Sequence, residues 1–165
     1  MRVPGAARID GVYPIAAGDD RPTEALVEAG GYGYAHSCVN SENFPARPLA
    51  RRGPRDVVLV AFHGEVDAAT ALAAATGLGL EPPLYEDALR FGIAHPAVQL
   101  EAPVVFLHDP WFGFFGRRDV LSLWCNAGRR ELGLDGFDDR WTPPCRFAFI
   151  RPAATGATPA PPTGP

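Results

Sequence analysis

Several short stretches carry side chains that could do chemistry. His36-Ser37-Cys38 offers a thiol, and an activated cysteine needs an adjacent proton acceptor, a place that His95 or His108 could fill. No glycine elbow or other nucleophile signature accompanies it, so a structural Cys38 is expected. His63-Gly64-Glu65-Val66-Asp67 puts His63, Glu65 and Asp67 on one side of an extended chain, as metal ligands would be. A metal site needs three or four ligands at fixed distances, however, and nothing else is spaced to complete this one. Asp67 is also placed to cap the helix that follows. Asp135-Gly136-Phe137-Asp138-Asp139-Arg140 supplies carboxylates that calcium would accept, but without EF-hand spacing it predicts a solvated turn. No metal, no cofactor and no catalytic residue is therefore assigned. A small hydrolase or transferase using Cys38 or the His63, Glu65 and Asp67 group is the alternative function.

The preferred reading rests on aromatic and arginine side chains: Trp111, Phe112, Phe114, Phe115, Arg117, Arg118, Trp124, Arg129, Arg140 and Trp141, with Asn126 and Asp138 in the intervening turns. Tryptophan, tyrosine and arginine supply most of the energy at recognition surfaces, because each joins a large contact area to a polar handle. Trp111-Phe112-Gly113-Phe114-Phe115-Gly116 cannot point wholly inward if it spans a turn, so some aromatic area is expected to face a partner. Trp124 and Trp141 are expected to pin the meander, and Trp111 either caps one end of it or joins the exposed loop. Arg146, on a strand buried on both faces, needs a carboxylate, for which Glu131 and Asp119 are the candidates.

The elements that must position these groups follow from period and punctuation. Residues 1–11 are expected to be an arm leading into an extended Val12-Tyr13-Pro14-Ile15. Asp19-Asp20-Arg21-Pro22-Thr23-Glu24 reads as a helix start with a carboxylate cap, and Gly30-Gly31 as its end. Tyr34, Val39 and Phe44 anchor an irregular segment, and residues 45–56 form an exposed connection. Val57-Val58-Leu59-Val60-Ala61-Phe62 is short, β-branched and apolar throughout, which predicts a buried central strand. An alanine-rich helix follows Asp67, and a second follows Pro82-Pro83. Strands return at 103–108, about 119–125, about 129–134 and 145–151. The result is an α+β domain over residues 1–151: an N-terminal part to residue 56, then a core with a central strand, two short helices and a three- to four-stranded antiparallel meander. Residues 152–165, rich in Pro, Ala, Thr and Gly, are expected to be a disordered tail.

Bulk composition narrows the function classes. At 165 residues with 47% hydrophobic and 21% charged, the chain can bury one core without staples. Its 18 glycines and 18 prolines predict many turns and short elements. A net charge of -4 with no basic block argues against nucleic acid, since phosphate neutralisation needs clustered positive charge. No apolar run approaches membrane-spanning length and no signal-like block opens the chain, so a cytoplasmic protein without membrane contact is expected. Three cysteines without CxxC spacing are expected to be free thiols.

Glu24-Ala-Leu-Val-Glu-Ala-Gly-Gly-Tyr32, Asn40-Ser-Glu-Asn-Phe-Pro45, Ala88-Leu-Arg-Phe-Gly-Ile-Ala-His-Pro-Ala-Val-Gln99, Ala102-Pro-Val-Val105, and Trp141 with Cys145-Arg-Phe-Ala148 resemble a family of uncharacterised bacterial proteins. The order of the C-terminal half is also similar to the C-type lectin-like fold. The chain departs from the family at His108-Asp109-Pro110, where members carry a small-residue turn, and at Pro82-Pro83-Leu84-Tyr85, which lacks a threonine cap. The resemblance implies a displayed binding face with no activity attached. The expected function is thus non-enzymatic binding of a protein or small-molecule ligand by the aromatic and arginine loops. A homodimer buried through those loops is a further expectation.

Overall fold

Strand β3 (Arg55–Phe62) runs through the middle of the molecule, and its side chains divide the core in two. Val57 and Leu59 point to one face of the sheet, Val58 and Val60 to the other, and all four are fully buried. A continuous apolar run is what a strand covered on both faces requires. The computed structural model describes residues 6–16, 18–47 and 54–152, except for the side chain of Phe114. All but Pro152 of the expected tail lies outside these residues, as does part of the 45–56 connection.

Among the described residues there are nine further strands. These are β1 (Ala7–Ile15), β2 (Tyr34–Ala35), β4 (Val66–Asp67), β5 (Val104–Phe106), β6 (Trp111–Phe112), β7 (Arg118–Asn126), β8 (Arg129–Gly136), β9 (Arg140–Trp141) and β10 (Arg146–Arg151). The helices are α1 (Thr23–Ala29), α2 (Ala68–Gly77), α3 (Tyr85–Ala94) and α4 (Val98–Glu101). The main sheet has the order β1-β3-β10-β5-β7-β8-β2, with β6 paired to β7, and β4 and β9 make a separate ribbon. The protein is therefore α+β with a mixed, mostly antiparallel sheet.

Part of the expected meander is present as β5-β7-β8, each pair antiparallel. The last strand does not extend it. β10 returns to insert between β3 and β5, antiparallel to the first and parallel to the second. The N-terminal part also differs from the expected arm and loop. Ala7–Ile15 is an edge strand along β3, broken by an irregularity between Ile9 and Gly11. Ile15, Leu26, Val39 and Phe44 lie in the same buried cluster as Val57 and Phe106, so residues before 57 belong to the core. An apolar β3 needs hydrogen-bonded neighbours on both sides, and β1 supplies one of them.

Helices cover both faces. On one, α3 buries Tyr85, Ala88, Leu89 and Phe91. On the other, α2 lays Ala68, Ala71 and Ala75 over the sheet, small side chains that permit close approach. Asp67 accepts a hydrogen bond from the Thr70 N–H at 2.8 Å, the cap expected of it. The expected acidic cap of α1 is absent, because Pro22 occupies that position and Asp19 is turned to Arg21. α3 begins without a threonine because Asp87, within its first turn, accepts the Leu84 N–H at 2.7 Å and is held by Arg55. No helix among the described residues is long and apolar enough to cross a membrane.

Candidate functional site

Parallel β5 and β10 leave the sheet at the same end, and the ends of such strands are where open sheets commonly form crevices. A cleft of about 510 Å³ lies beyond β5. Its walls come from three separate stretches: residues 43–47, residues 82–85 at the start of α3, and residues 108–112.

The first wall is strapped down by polar contacts. Thr23 donates its hydroxyl to the Phe44 carbonyl, and the Tyr85 hydroxyl donates to the Pro45 carbonyl. Arg47 lies flat over the Tyr85 ring, 3.9 Å from its centroid, with Nε 2.9 Å from the carboxylate of buried Glu86. The Arg47 charge is thereby neutralised within the protein. Phe44 packs against Tyr85 at 5.3 Å and Trp111 at 5.5 Å between ring centroids, making an aromatic floor.

His108 closes that floor. Its ring is 3% exposed and sits where β5 stops pairing with β7. Nε2 accepts the Leu121 N–H at 3.0 Å, and Nδ1 lies 2.7 Å from the Asp109 carbonyl, to which it donates. The imidazole thus replaces the missing strand acceptor and is held as one neutral tautomer. Burial drives its pKa down from the ordinary 6.5 to about 4. With both nitrogens engaged, His108 has no lone pair or proton free for catalysis.

The outer lip is a hairpin. Trp111 and Phe112 of β6 pair with Asp119 and Arg118 of β7, and the Gly113 N–H donates to the Arg117 carbonyl at 2.8 Å. Phe114–Gly116 forms a 3₁₀ turn across the tip. Phe112 is 68% exposed, while Phe115 is wholly exposed and holds a left-handed backbone at φ 60, followed by Gly116 at φ 71. A bulky residue seldom adopts that conformation, and a fully solvated ring gains no internal packing in return.

The expected site residues divide into groups. Trp111 and Phe112 line the cleft, whereas Phe115 stands fully exposed in the turn at the hairpin tip, next to Phe114. At the hairpin root Arg117 pairs with Asp119 at 2.7 Å, and Arg118 pairs with Asp138 and lies 4.8 Å over Phe137. The rest do not join them. Asn126 and Arg129 sit at the far end of β7, on the order of 26 Å along the strand from Arg118. Arg129 is tied there to the Gly33 carbonyl. Trp124 points to the opposite face, donating to Ser122 and Asp135 at 3.0 and 3.1 Å. Trp141 is buried there edge-on to Phe147. The expected residues of the 111–118 loop and of the 124–141 turns thus do not come together, because the pleat sends Trp111 and Trp124 to opposite faces.

Of the groups in the alternative chemistry, the two carboxylates are already paired. Arg140 reaches Glu65 at 3.3 Å and Asp67 at 3.9 Å, drawing the carboxylates into ion pairs. No cluster of three or more histidine, cysteine or acidic side chains suited to a metal occurs among the described residues. His36 Nδ1 accepts the Cys38 N–H at 3.1 Å, so it faces that residue's backbone. His95 bonds the Pro14 carbonyl at 2.7 Å, and all three cysteines are unpaired. Arg146 is buried and finds carboxylates, but they are Asp10 at 3.6 Å and Glu101 at 3.8 Å rather than Glu131 or Asp119.

Phe44, Arg47, Tyr85 and His108 complete the cleft and are not among the residues expected from sequence to bind. Each looks structural locally, and their meeting depends on contacts between segments about 20 to 60 residues apart. Comparisons with protein-family models, curated proteins and solved structures found no match. Whatever this face does has to be read from its own geometry.

Proposed function

We propose that the protein works by binding, without catalysis, and that the 111–118 hairpin and the cleft behind it receive a protein or small-molecule ligand. The observation that carries this reading is Phe115: a fully solvated aromatic ring on a left-handed backbone, at the tip of the hairpin whose Phe112 lines an aromatic cleft. Such a residue is costly alone and useful against a partner, where an aromatic anchor can contribute ~2 kcal/mol or more. The locked neutral His108 and the neutralised Arg47 favour recognition over proton transfer at the same place. Likeness to the C-type lectin-like fold enters only as a shared habit of displaying loops from a sheet. A cytoplasmic setting and a second copy as the partner belong to the same proposal.

The test is selection of ligands from displayed peptide and small-molecule libraries on the intact protein. Phe112→Ala and Phe115→Gly should each weaken binding of the selected ligands at least about tenfold. Phe115→Gly should also raise stability to urea by ~1 kcal/mol, since glycine relieves the left-handed backbone. Cys38→Ala and His63→Ala should leave binding unchanged. Full binding by the Phe115 variant, with loss on changing Cys38 or His63, would overturn the reading.

A further inference from the structure

We infer that the occupant of the cleft is a second copy of this chain, each copy seating its Phe115 in the aromatic recess of the other. This rests on the binding reading above and names the partner of that site.

Both halves of such a contact are present on one molecule. Phe115 projects fully exposed from the hairpin tip on a left-handed backbone at φ 60, followed by Gly116 at φ 71. The cleft of about 510 Å³ is lined by Phe44, Tyr85, Trp111 and Phe112, and the last two belong to the same hairpin as the projecting ring. Knob and recess therefore lie side by side. A two-fold axis passing between them carries each knob into the other copy's recess, so the contact is isologous and closes at two chains.

Charge fits the same partner. The charged side chains lining the cleft are Arg47, which Glu86 neutralises, and the exposed Asp109, while His108 is held neutral by its two hydrogen bonds. The recess thus has an acidic rim. Residues 111–118 contain two arginines and no acidic side chain, and Arg117 keeps its side chain 60% exposed while paired with Asp119. Seating the hairpin in a second cleft brings Arg117 of one copy toward Asp109 of the other. Buried aromatic rings cover roughly 150–250 Å² each. Phe112 and Phe115 from both copies, with the walls they cover, bring the interface to on the order of 1,200 Å², the lower end for specific complexes. A micromolar dimer is therefore expected.

The experiment is sedimentation velocity on the intact protein from low micromolar to submillimolar concentration. The mass should rise from one chain toward two and no further. Phe115→Gly should weaken association at least about a hundredfold, because the dimer loses two rings. Pro82→Trp, which puts an indole at the exposed edge of the cleft, should weaken it comparably. Mixing the two variants should restore a dimer, since one supplies an open cleft and the other an intact Phe115. If Pro82→Trp proves unfolded by circular dichroism, Asp109→Arg and Arg117→Glu give the same test: each alone places like charges together, and the mixture places opposite ones. A wild type that stays monomeric overturns the inference and leaves the cleft to the library-selected ligands. A dimer that Phe115→Gly and the cleft variants all retain overturns it in favour of another face, and folded variants that fail to associate on mixing overturn it as well. The binding reading itself fails separately, if selected ligands ignore Phe112→Ala and Phe115→Gly.

Discussion

Phe115 and His108 stand close in the chain and obey opposite rules. Phe115 is an apolar side chain held in water, and His108 is a titratable one held in the core. An exposed aromatic near 115 is legible in the sequence, because six residues with two glycines cannot bury every ring they carry. The fate of His108 is not, since its environment depends on the Leu121 N–H, which it meets only after β5 and β7 have paired. The consequence can be measured. Its folded pKa of about 4 lies below the ordinary 6.5, so the unfolded chain takes up the proton first as pH falls. The stability from the neutral ring is complete above about pH 6.5 and is lost progressively toward pH 4, on the order of 3 kcal/mol in all. Glutamine at 108 keeps an acceptor for Leu121 but cannot titrate. Urea unfolding of wild type and His108→Gln across pH 4 to 7.5 should therefore diverge downward for the wild type on acidification, and parallel curves would refute the assignment.

The start of α3 shows how one element organises the site. Pro82 and Pro83 line the cleft, Tyr85 forms its floor, Glu86 holds Arg47, and Asp87 caps the helix from within. The acidic first turn and the prolines before it are visible in the sequence as a helix start. That Glu86 faces inward is not, because its partner comes from a segment about 40 residues earlier. The pair is unequal: Glu86 is 4% exposed at its side chain and Arg47 41%. Removing Arg47 would leave a buried carboxylate without its counter-charge, at a cost of ~3 kcal/mol, whereas Glu86→Gln leaves a half-solvated guanidinium and a neutral amide. Arg47→Ala should thus be clearly more destabilising than Glu86→Gln in chemical denaturation. Equal losses would mean that the contact is ordinary surface pairing.

The main sheet has a core on each side, and β3 and β10 contribute to both. Neither core can come apart while those strands keep their pairing. Unfolding followed at Trp111 on one face should coincide in midpoint with unfolding followed at Trp141 on the other, using variants that retain one tryptophan each. Separate midpoints would show two independent units. Local chemistry in the chain was enough to specify the buried strand at 57–62, the alanine helix with its Asp67 cap, four of the strands after residue 103 (β5, β7, β8 and β10) and the aromatic turn. Those features depend on neighbours within a few residues, through period, propensity and capping. The insertion of β10 beside β3, the recruitment of Ala7–Ile15 as an edge, the burial of His108 and Glu86, and the separation of Trp111 from Trp124 arise from pairings between distant segments. Hydrophobic period says that a strand is covered without saying by what, and the cleft exists only where three such segments meet.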